Sequence, residues 1–207
     1  MATGGGAVLA LEAVVLAAGA GTRFGGGKLM APWRGERLID ASLLAAMAAP
    51  VRRVTLVTGA DRALVSVAGD YPGLRVVHAA DHAEGMAASL RAGIAALPPD
   101  TGGVFVFLGD MPLVPRSAPP ALAAALAAGA KAAAPVFGGR RGHPVLFGRG
   151  LFTALLALSG DEGARSFLDL LGDDLALIES PDDGVLFDVD LKADLRVVRG
   201  IRPTPTP

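Results

Sequence analysis

The sequence predicts a single α/β domain built around a mostly parallel β-sheet. Short apolar runs alternate along the chain with longer segments of helical periodicity, which is typical of successive β–α–β units. The run at residues 104–108 carries no charge, as expected of a central strand buried on both faces. The chain has 207 residues, enough for one sizeable core, and no internal repeat or long linker divides it.

In the first half of the chain, turn and cap residues delimit the predicted elements. Gly19 ends the first strand and Gly59 the second, because glycine permits the turns that follow. Asp61 is placed to cap a helix, and apolar residues recur with helical spacing over residues 86–94. The predicted elements are strands at residues 13–18, 51–58, 74–78 and 104–108, and helices at residues 38–49, 61–69 and 85–97.

In the second half, the alternation becomes less regular beyond Gly138. Gly129 follows an Ala-rich segment as a typical helix stop. The predicted elements are helices at residues 117–128, 151–158, 164–171 and from 191 onward, and strands at residues 131–137, 144–147, 175–178 and 185–189. We therefore expect one domain over residues 12–200, with flexible termini at 1–11 and 201–207, the second of which is rich in proline.

The composition excludes several classes of function. Lys and Arg number 19 and Asp and Glu 20, a formal net charge of −1 that argues against nucleic-acid binding. Without cysteine, the chain forms no disulfide, thiolate metal site or cysteine nucleophile. No apolar run approaches the roughly 20 residues of a membrane span. The N-terminus lacks the basic and apolar regions of a signal peptide, so we expect a cytoplasmic protein without membrane contact.

A glycine-rich loop follows the first predicted strand and reads Leu-Ala-Ala-Gly-Ala-Gly-Thr-Arg-Phe-Gly-Gly-Gly-Lys over residues 16–28. Glycines let backbone N–H groups approach an anion, and Arg23 and Lys28 can neutralise a polyphosphate. A Walker loop is excluded because Leu29 follows the lysine where Ser or Thr is required. A dinucleotide fingerprint is excluded because Phe24 occupies the third glycine position. The alternative is a solvated surface loop.

Two acidic segments supply candidate metal ligands. Asp110 directly follows the predicted central strand, and ligands of open α/β sheets gather at the carboxyl ends of strands. Asp188 and Asp190 alternate, so on a strand they would face the same side. Carboxylates at these places can hold Mg²⁺ against the oxygens of a triphosphate. Each segment alone also fits a capping role, Asp110 in a turn and Asp190 at the start of the final helix.

Weaker signals lie in three further polar segments. Gly85 begins a predicted helix on which Ser89 either faces a nucleotide or packs in the core. His143 lies between Gly and Pro, where a binding role and a structural role are equally consistent with the sequence. Arg165 ends the segment Gly-Asp-Glu-Gly-Ala-Arg, a polar island between apolar runs.

Together these motifs resemble those of the molybdopterin nucleotidyltransferase family. The loop from Ala17 to Lys28 resembles the family signature, and the segments at residues 109–112 and 188–190 resemble its two metal-binding motifs. Gly-His-Pro-Val-Leu-Phe at residues 142–147 and the segment that ends at Arg165 resemble the acceptor-side motifs of one branch, the molybdenum cofactor cytidylyltransferases. The resemblance extends over residues 12–198.

The resemblance implies a Rossmann-like three-layer α/β/α sandwich of the nucleotide-diphospho-sugar transferase type. It implies Mg²⁺-dependent transfer of CMP from CTP to the phosphate of molybdopterin, with release of pyrophosphate. The product would pass to a molybdenum hydroxylase or its maturation chaperone. Ala18 and Phe24 stand where the guanylyltransferase branch tends to have Gly and Met, and so favour CTP over GTP. Ala79 and His82 depart from the family's Asn and aromatic residue, so the resemblance assigns no base or ribose contact there.

In the resulting hypothesis, Lys28 holds the α-phosphate, Arg23 holds the outer phosphates, and Asp110 and Asp190 bind Mg²⁺. The expected nucleotide-binding residues are Leu16, Ala17, Ala18, Gly19, Gly21, Thr22, Gly85 and Ser89, and the expected acceptor-binding residues are His143, Arg165 and Asp188. The alternatives are guanylyl transfer, a different phosphorylated acceptor, and a nucleotide-binding accessory protein without catalysis.

Overall fold

The computed structural model describes residues 9–160 and 164–196. In chain order its strands are β1 (Leu11–Ala17), β2 (Pro32–Trp33), β3 (Glu36–Arg37), β4 (Val54–Thr58), β5 (Arg75–His78), β6 (Gly103–Leu108), β7 (Ala132–Phe137), β8 (Arg140–Arg141), β9 (Val145–Gly148) and β10 (Leu175–Glu179). Its α-helices are α1 (Leu38–Met47), α2 (Met86–Ala95), α3 (Ala118–Ala127), α4 (Phe152–Leu156) and α5 (Arg165–Asp169).

The main sheet has the strand order β10-β7-β9-β6-β1-β4-β5, and β8 pairs with β7. The pairs β1–β4, β4–β5, β1–β6 and β7–β10 are parallel, whereas β9 runs antiparallel to β6 and β7. The predicted mostly parallel sheet is confirmed. Because β4 and β6 lie on opposite sides of β1, the strand order reverses there, and a crevice forms at the carboxyl ends of β1 and β6.

Helices cover both faces of the sheet, which confirms the three-layer α/β/α architecture. On one face, α1 and α3 pack through Leu43 and Leu122 against strand residues such as Val15. On the other face, α2 and α4 pack through Leu90 and Leu155 against the alternate residues of the same strands. Every residue of β1 is buried, so the first strand lies at the centre of both apolar clusters.

The predicted strand at residues 185–189 is wrong. Asp183–Leu186 forms a 3₁₀ turn, and residues 187–190 lie outside regular secondary structure. The backbone N–H of Val189 donates to the carbonyl oxygen of Asp110 at 3.0 Å, so the segment pairs with a turn instead of a strand. The helix predicted from residue 191 is also absent up to residue 196, where the structure has a short 3₁₀ turn at Asp194–Arg196.

Two other features differ from the predicted elements. The helix predicted at residues 61–69 is a 3₁₀ helix at Arg62–Asp70, and the Asp61 carboxylate accepts from the backbone N–H of Ala63, as a cap does. The hairpin of β2 and β3 was not predicted. Its two-residue turn has positive φ at both Arg34 (52°) and Gly35 (92°), the geometry that suits the twist of paired strands.

Most of both predicted flexible termini lies outside the described residues, as do residues 161–163 of the polar segment before α5. At the N-terminal end, β1 begins at Leu11, which is buried, so the sheet includes the last residue of the predicted terminus. None of the described helices has the length and apolar character needed to cross a membrane.

Gly142 packs so closely against residue 185 that it has no room for a side chain. A Cβ atom at this position would overlap the carbonyl oxygen of Val185, which accepts a hydrogen bond from the backbone N–H of His143 at 2.9 Å. We therefore expect Gly142→Ala to lower the free energy of unfolding by about 3 kcal/mol, measured by urea denaturation. Gly150→Ala is the control, since a Cβ atom there meets nothing within 4 Å. Equal losses in the two variants would contradict this packing.

Candidate active site

The glycine-rich loop folds into two 3₁₀ turns, Thr22–Phe24 and Lys28–Met30, after the end of β1. Phe24 and Leu29 are buried and anchor it to the core. Gly21, Gly25, Gly26 and Gly27 all have positive φ angles between 58° and 96°. In the described part of the chain, the amides of Gly19, Ala20 and Gly21 donate no hydrogen bond to the protein. They are therefore available to an anion such as a phosphate.

Four charged side chains meet beside this loop, and we call them the charged cluster: Arg23, Lys28, Asp110 and Asp190. The Nζ atom of Lys28 lies 2.7 Å from a carboxylate oxygen of Asp110 and 3.5 Å from one of Asp190. Arg23 donates to the other oxygen of Asp190 at 2.7 Å. The side chain of Lys28 is 12% exposed and that of Arg23 is 77% exposed, so Lys28 is the inner cation and Arg23 the outer one.

The turn that carries Asp110 is held from two sides. The backbone N–H of Gly109 donates to the carbonyl oxygen of Leu16 at 2.9 Å, which ties the ends of β6 and β1 together. From α1, the hydroxyl of Ser42 donates to the carbonyl oxygens of Gly109 at 3.0 Å and Met111 at 3.3 Å. Sequence reasoning missed Ser42, although a polar residue within an apolar helix is a signal, because buried hydroxyl groups require a partner.

The segment that carries Asp190 is held by a carboxylate that sequence reasoning also missed. Asp194 accepts hydrogen bonds from the backbone N–H groups of Asp190 at 2.9 Å and Leu191 at 2.7 Å. The alternative that Asp190 caps a helix is therefore wrong, since the side chain of Asp194 is the acceptor and that of Asp190 joins the charged cluster. Nearby, burial raises the pKa of the Asp188 carboxyl, and the negative charges of Asp190 and Asp110 raise it further.

A cavity of about 90 Å³ lies beside Lys28 and the loop. It is lined by Leu16, Ala17, Gly19, Ala20, Gly21, Gly27, Lys28, Leu29, Asp61 and Asp110. Six of these residues belong to the predicted site, whereas Asp61 was predicted only as a helix cap. A larger, open depression of about 560 Å³ lies between α1 and the β2–β3 hairpin, and no predicted site residue lines it.

Four predicted nucleotide-binding residues lie outside the lining of the smaller cavity. Ala18 is buried against Gly59, and Thr22 begins the first 3₁₀ turn of the loop. Gly85 directly precedes α2 and has a φ of 105°, and Ser89 is buried on that helix. These four residues thus lie after the end of β1, in the loop, and before or on α2, and their nucleotide-binding role stays a prediction.

The predicted acceptor-binding residues divide into two groups. Asp188 and His143 both lie close enough to Asp110 for its charge to affect their pKa values. Arg165 lies at the start of α5, outside the charged cluster, with an exposed side chain. Arg141, which was not predicted, bridges to that helix, because it donates to the carbonyl oxygen of Arg165 at 3.2 Å and pairs with Asp169 at 2.8 Å.

The imidazole of His143 is held neutral by its surroundings. The pKa of His143 is lowered to about 4, mainly by burial, with the negative charge of Asp110 opposing the shift and the positive charge of Arg141 adding to it. A neutral ring is a hydrogen-bonding group and not a cation at physiological pH. His143 therefore suits an orienting contact with an acceptor better than neutralisation of a phosphate.

This shifted pKa predicts that His143 makes the free energy of unfolding depend on pH in the acidic range. Between pH 6.5 and about 4 the unfolded chain binds a proton that folded His143 does not, so this stability is complete above pH 6.5 and is lost as the pH falls. When the pH is lowered from 7 to 4.5, wild type should lose about 2 kcal/mol more of its free energy of unfolding than His143→Asn does. Urea denaturation at the two pH values measures both losses. His78→Asn, at an exposed histidine, is the control and should follow wild type. Equal losses in His143→Asn and wild type would contradict the prediction.

The donor set of the charged cluster fits a metal that binds together with a nucleotide. Among the described residues, no group of three or more His, Asp or Glu side chains could hold a metal ion by itself. Mg²⁺ commonly binds to one or two carboxylates together with phosphate oxygens of the substrate. Asp110 and Asp190 meet that requirement, and their present partners are Lys28 and Arg23.

Comparison with known families agrees with this geometry. Residues 13–176 match the sequence model of the MobA-like NTP transferase domain. The chain belongs to this family. The predicted enzyme class, a nucleotidyltransferase, is confirmed by the match, which includes the glycine-rich loop, Asp110 and His143.

Two curated relatives are similar to this MobA-like chain over most of their lengths. Nicotine blue oxidoreductase from Paenarthrobacter nicotinovorans is 31% identical over 188 residues, which are 86% of this chain and 90% of that protein. Molybdenum cofactor cytidylyltransferase from Escherichia coli (strain K12) is 26% identical over 186 residues, which are 89% of this chain and 93% of that protein.

Among solved structures, Rv0371c from Mycobacterium tuberculosis H37Rv superposes with a TM-score of 0.79 at 28% identity, covering 91% of this chain and 97% of that one. A structure of Rv0371c in complex with manganese gives a TM-score of 0.72 at 26% identity, covering 83% of this chain and 88% of that one. These neighbours confirm the predicted fold class.

Proposed function

We propose that this MobA-like protein transfers CMP from CTP to the terminal phosphate of molybdopterin in an Mg²⁺-dependent reaction that releases pyrophosphate. The observation that carries the proposal is the position of Lys28 between Asp110 and Asp190, next to a loop with available amides. The base and the acceptor rest on the motif resemblance and on the similarity to a molybdenum cofactor cytidylyltransferase.

The chemistry is an in-line displacement at the α-phosphorus of CTP. An oxygen of the acceptor phosphate forms a bond to the α-phosphorus, and the bond to the β-phosphate oxygen breaks, with pyrophosphate as the leaving group. Such a reaction requires positioning and charge neutralisation more than covalent help from the protein. The amides of the loop would bind the triphosphate, and Lys28 would stabilise the charge that develops on the α-phosphate.

Substrate binding requires the charged cluster to exchange partners. Without substrate, Lys28 and Arg23 neutralise Asp110 and Asp190. With substrate, both cations would turn to the phosphates, and the two carboxylates would hold Mg²⁺, which neutralises charge on the phosphate oxygens. His143, Asp188 and Arg165 would orient the acceptor. Each charge in the cluster thus keeps a partner of opposite sign before and after binding.

The proposed function is tested by the release of pyrophosphate. The purified protein is incubated with Mg²⁺, molybdopterin and one of CTP, GTP, ATP or UTP, and we expect release with CTP alone. Release with GTP alone would support nucleotidyl transfer but contradict the assignment of CTP as the substrate. Nucleotide binding without release in all four mixtures would contradict the proposal and favour a different acceptor or the non-catalytic alternative.

A redox activity is a second candidate, because the identity to nicotine blue oxidoreductase is 31% and that to the cytidylyltransferase 26%. Phe24 at the third glycine position and the two cations in the loop argue against the usual dinucleotide-binding geometry. The test is oxidation of a reduced pyridine nucleotide in the presence of nicotine blue. Turnover in that assay, with no pyrophosphate release in the first, would favour the second candidate.

A further inference from the structure

His82 lies across Gly59 from Ala18 of the glycine-rich loop, at the edge of the proposed nucleotide site. A Cβ atom placed on Gly59 would lie 2.7 Å from the Cβ atom of Ala18 and 2.8 Å from that of His82, so Gly59 packs against both residues. The backbone N–H of Ala60 also donates to the carbonyl oxygen of Ala18 at 3.1 Å. The ends of β1, β4 and β5 therefore bring His82 next to the loop.

The orientation of the His82 ring is fixed by its own turn. Its Nδ1 atom lies 3.0 Å from the carbonyl oxygen of Ala79, which also accepts from the backbone N–H of His82 at 3.2 Å. The ring of His78 packs beside it, with 5.9 Å between the centroids. A carbonyl oxygen only accepts hydrogen bonds, so Nδ1 must carry the hydrogen. In the neutral ring Nε2 is then an acceptor.

The Nε2 atom of His82 has no hydrogen-bond partner in residues 9–160 and 164–196. A second acceptor, the carboxylate of Asp61, lines the cavity beside Gly19 and follows the end of β4. An ionised carboxylate also accepts without donating. The turns that follow β4 and β5 therefore each carry a hydrogen-bond acceptor beside the loop, Asp61 in the cavity lining and His82 across Gly59 from Ala18.

We propose that His82 sets the base selectivity of the enzyme, with Nε2 accepting a hydrogen bond from an exocyclic amino group of the base. This inference rests on the proposed function for the position of the nucleotide. Cytosine offers an amino donor at its fourth position, where uracil has a carbonyl acceptor. Uracil would place two acceptors against each other, so His82 selects CTP over UTP.

The test compares the binding of CTP and UTP, each with Mg²⁺, by isothermal titration calorimetry. We expect wild type to bind CTP about tenfold or more tightly than UTP, since one hydrogen bond and one avoided acceptor clash separate the two bases. His82→Phe keeps an aromatic ring without the acceptor and should bring the ratio of the two dissociation constants close to one. His78→Phe, a change in the neighbouring ring, is the matched control and should keep the ratio of wild type.

An unchanged ratio in His82→Phe, or no preference for CTP in wild type, would overturn the inference. Equal weakening of both nucleotides would also overturn it, because that result indicates a structural role. If the larger ring prevents folding, His82→Ala replaces His82→Phe, and the same ratio of dissociation constants is measured and interpreted in the same way. Binding requires no acceptor molecule, so CTP-selective binding without pyrophosphate release would contradict the proposed function alone.

Discussion

We expect Lys28→Ala to lower kcat/KM for nucleotidyl transfer by about 10²–10³, equivalent to about 3–4 kcal/mol of transition-state stabilisation. Lys28 is the inner cation of the charged cluster, and its Nζ atom lies 2.7 Å from the Asp110 carboxylate. Because the side chain is largely shielded from water, its charge acts on a developing phosphate charge with little screening. The measurement is the rate of pyrophosphate release at several CTP concentrations.

Lys131→Ala is the matched control for this variant. Lys131 also pairs with an aspartate, at 2.8 Å from Asp174, but that pair is exposed and joins the residue before β7 to the residue before β10. The control should keep the wild-type rate and lose less than about 1 kcal/mol of stability, as exposed ion pairs do. Near-wild-type turnover by Lys28→Ala would remove the central role of this lysine.

The sequence was sufficient to predict a mostly parallel sheet and to locate the segments that carry Lys28 and Asp110. A five-residue uncharged apolar run bounded by glycines is typical of a strand buried on both faces, so β6 and the Asp110 turn could be located from residues 102–110. The glycine-rich loop could be located in the same way, because it directly follows the buried apolar run of β1. Parallel strands end at one edge of the sheet, and that rule brings Lys28 and Asp110 together.

The backbone conformation of the segment that carries Asp190 could not be predicted in the same way. An aspartate before Leu191 is typical of a helix start, and alternation around Val189 is typical of a strand. The observed conformation depends on a hydrogen bond from Val189 to Asp110, which is distant in sequence, and on the Asp194 carboxylate. Local periodicity contains neither interaction, so the pattern predicted two regular elements that the described residues do not form.

The partners of Ser42 and Arg141 could also not be identified from the sequence, although a polar residue within an apolar helix signals that Ser42 has one. Ser42 donates to the backbone carbonyl oxygens of Gly109 and Met111, and Arg141 donates to that of Arg165 besides its ion pair with Asp169. A carbonyl acceptor is present at every position of the chain, so no residue type marks it as a partner. Such contacts become visible only when the tertiary structure brings the donor to a particular turn.

Asp110→Asn is expected to affect metal-dependent activity and metal-free nucleotide binding in opposite directions. The change removes a carboxylate from the proposed Mg²⁺ site, which should lower kcat/KM by about a thousandfold, or about 4 kcal/mol. It also removes the anion that pairs with Lys28 at 2.7 Å, so without metal the lysine is more available to a phosphate. We therefore expect the variant to bind CTP in EDTA more tightly than wild type does.

The opposite signs distinguish this exchange of partners from a general loss of structure. The measurements are pyrophosphate release with Mg²⁺ and the dissociation constant of CTP with and without metal. Asp174→Asn, which removes the carboxylate of the exposed Lys131 pair, should change neither. A misfolded variant would lose CTP binding under both conditions. If Asp110→Asn binds CTP more weakly in EDTA than wild type does, Asp110 does not compete with the nucleotide for Lys28, and the proposed exchange of partners is wrong.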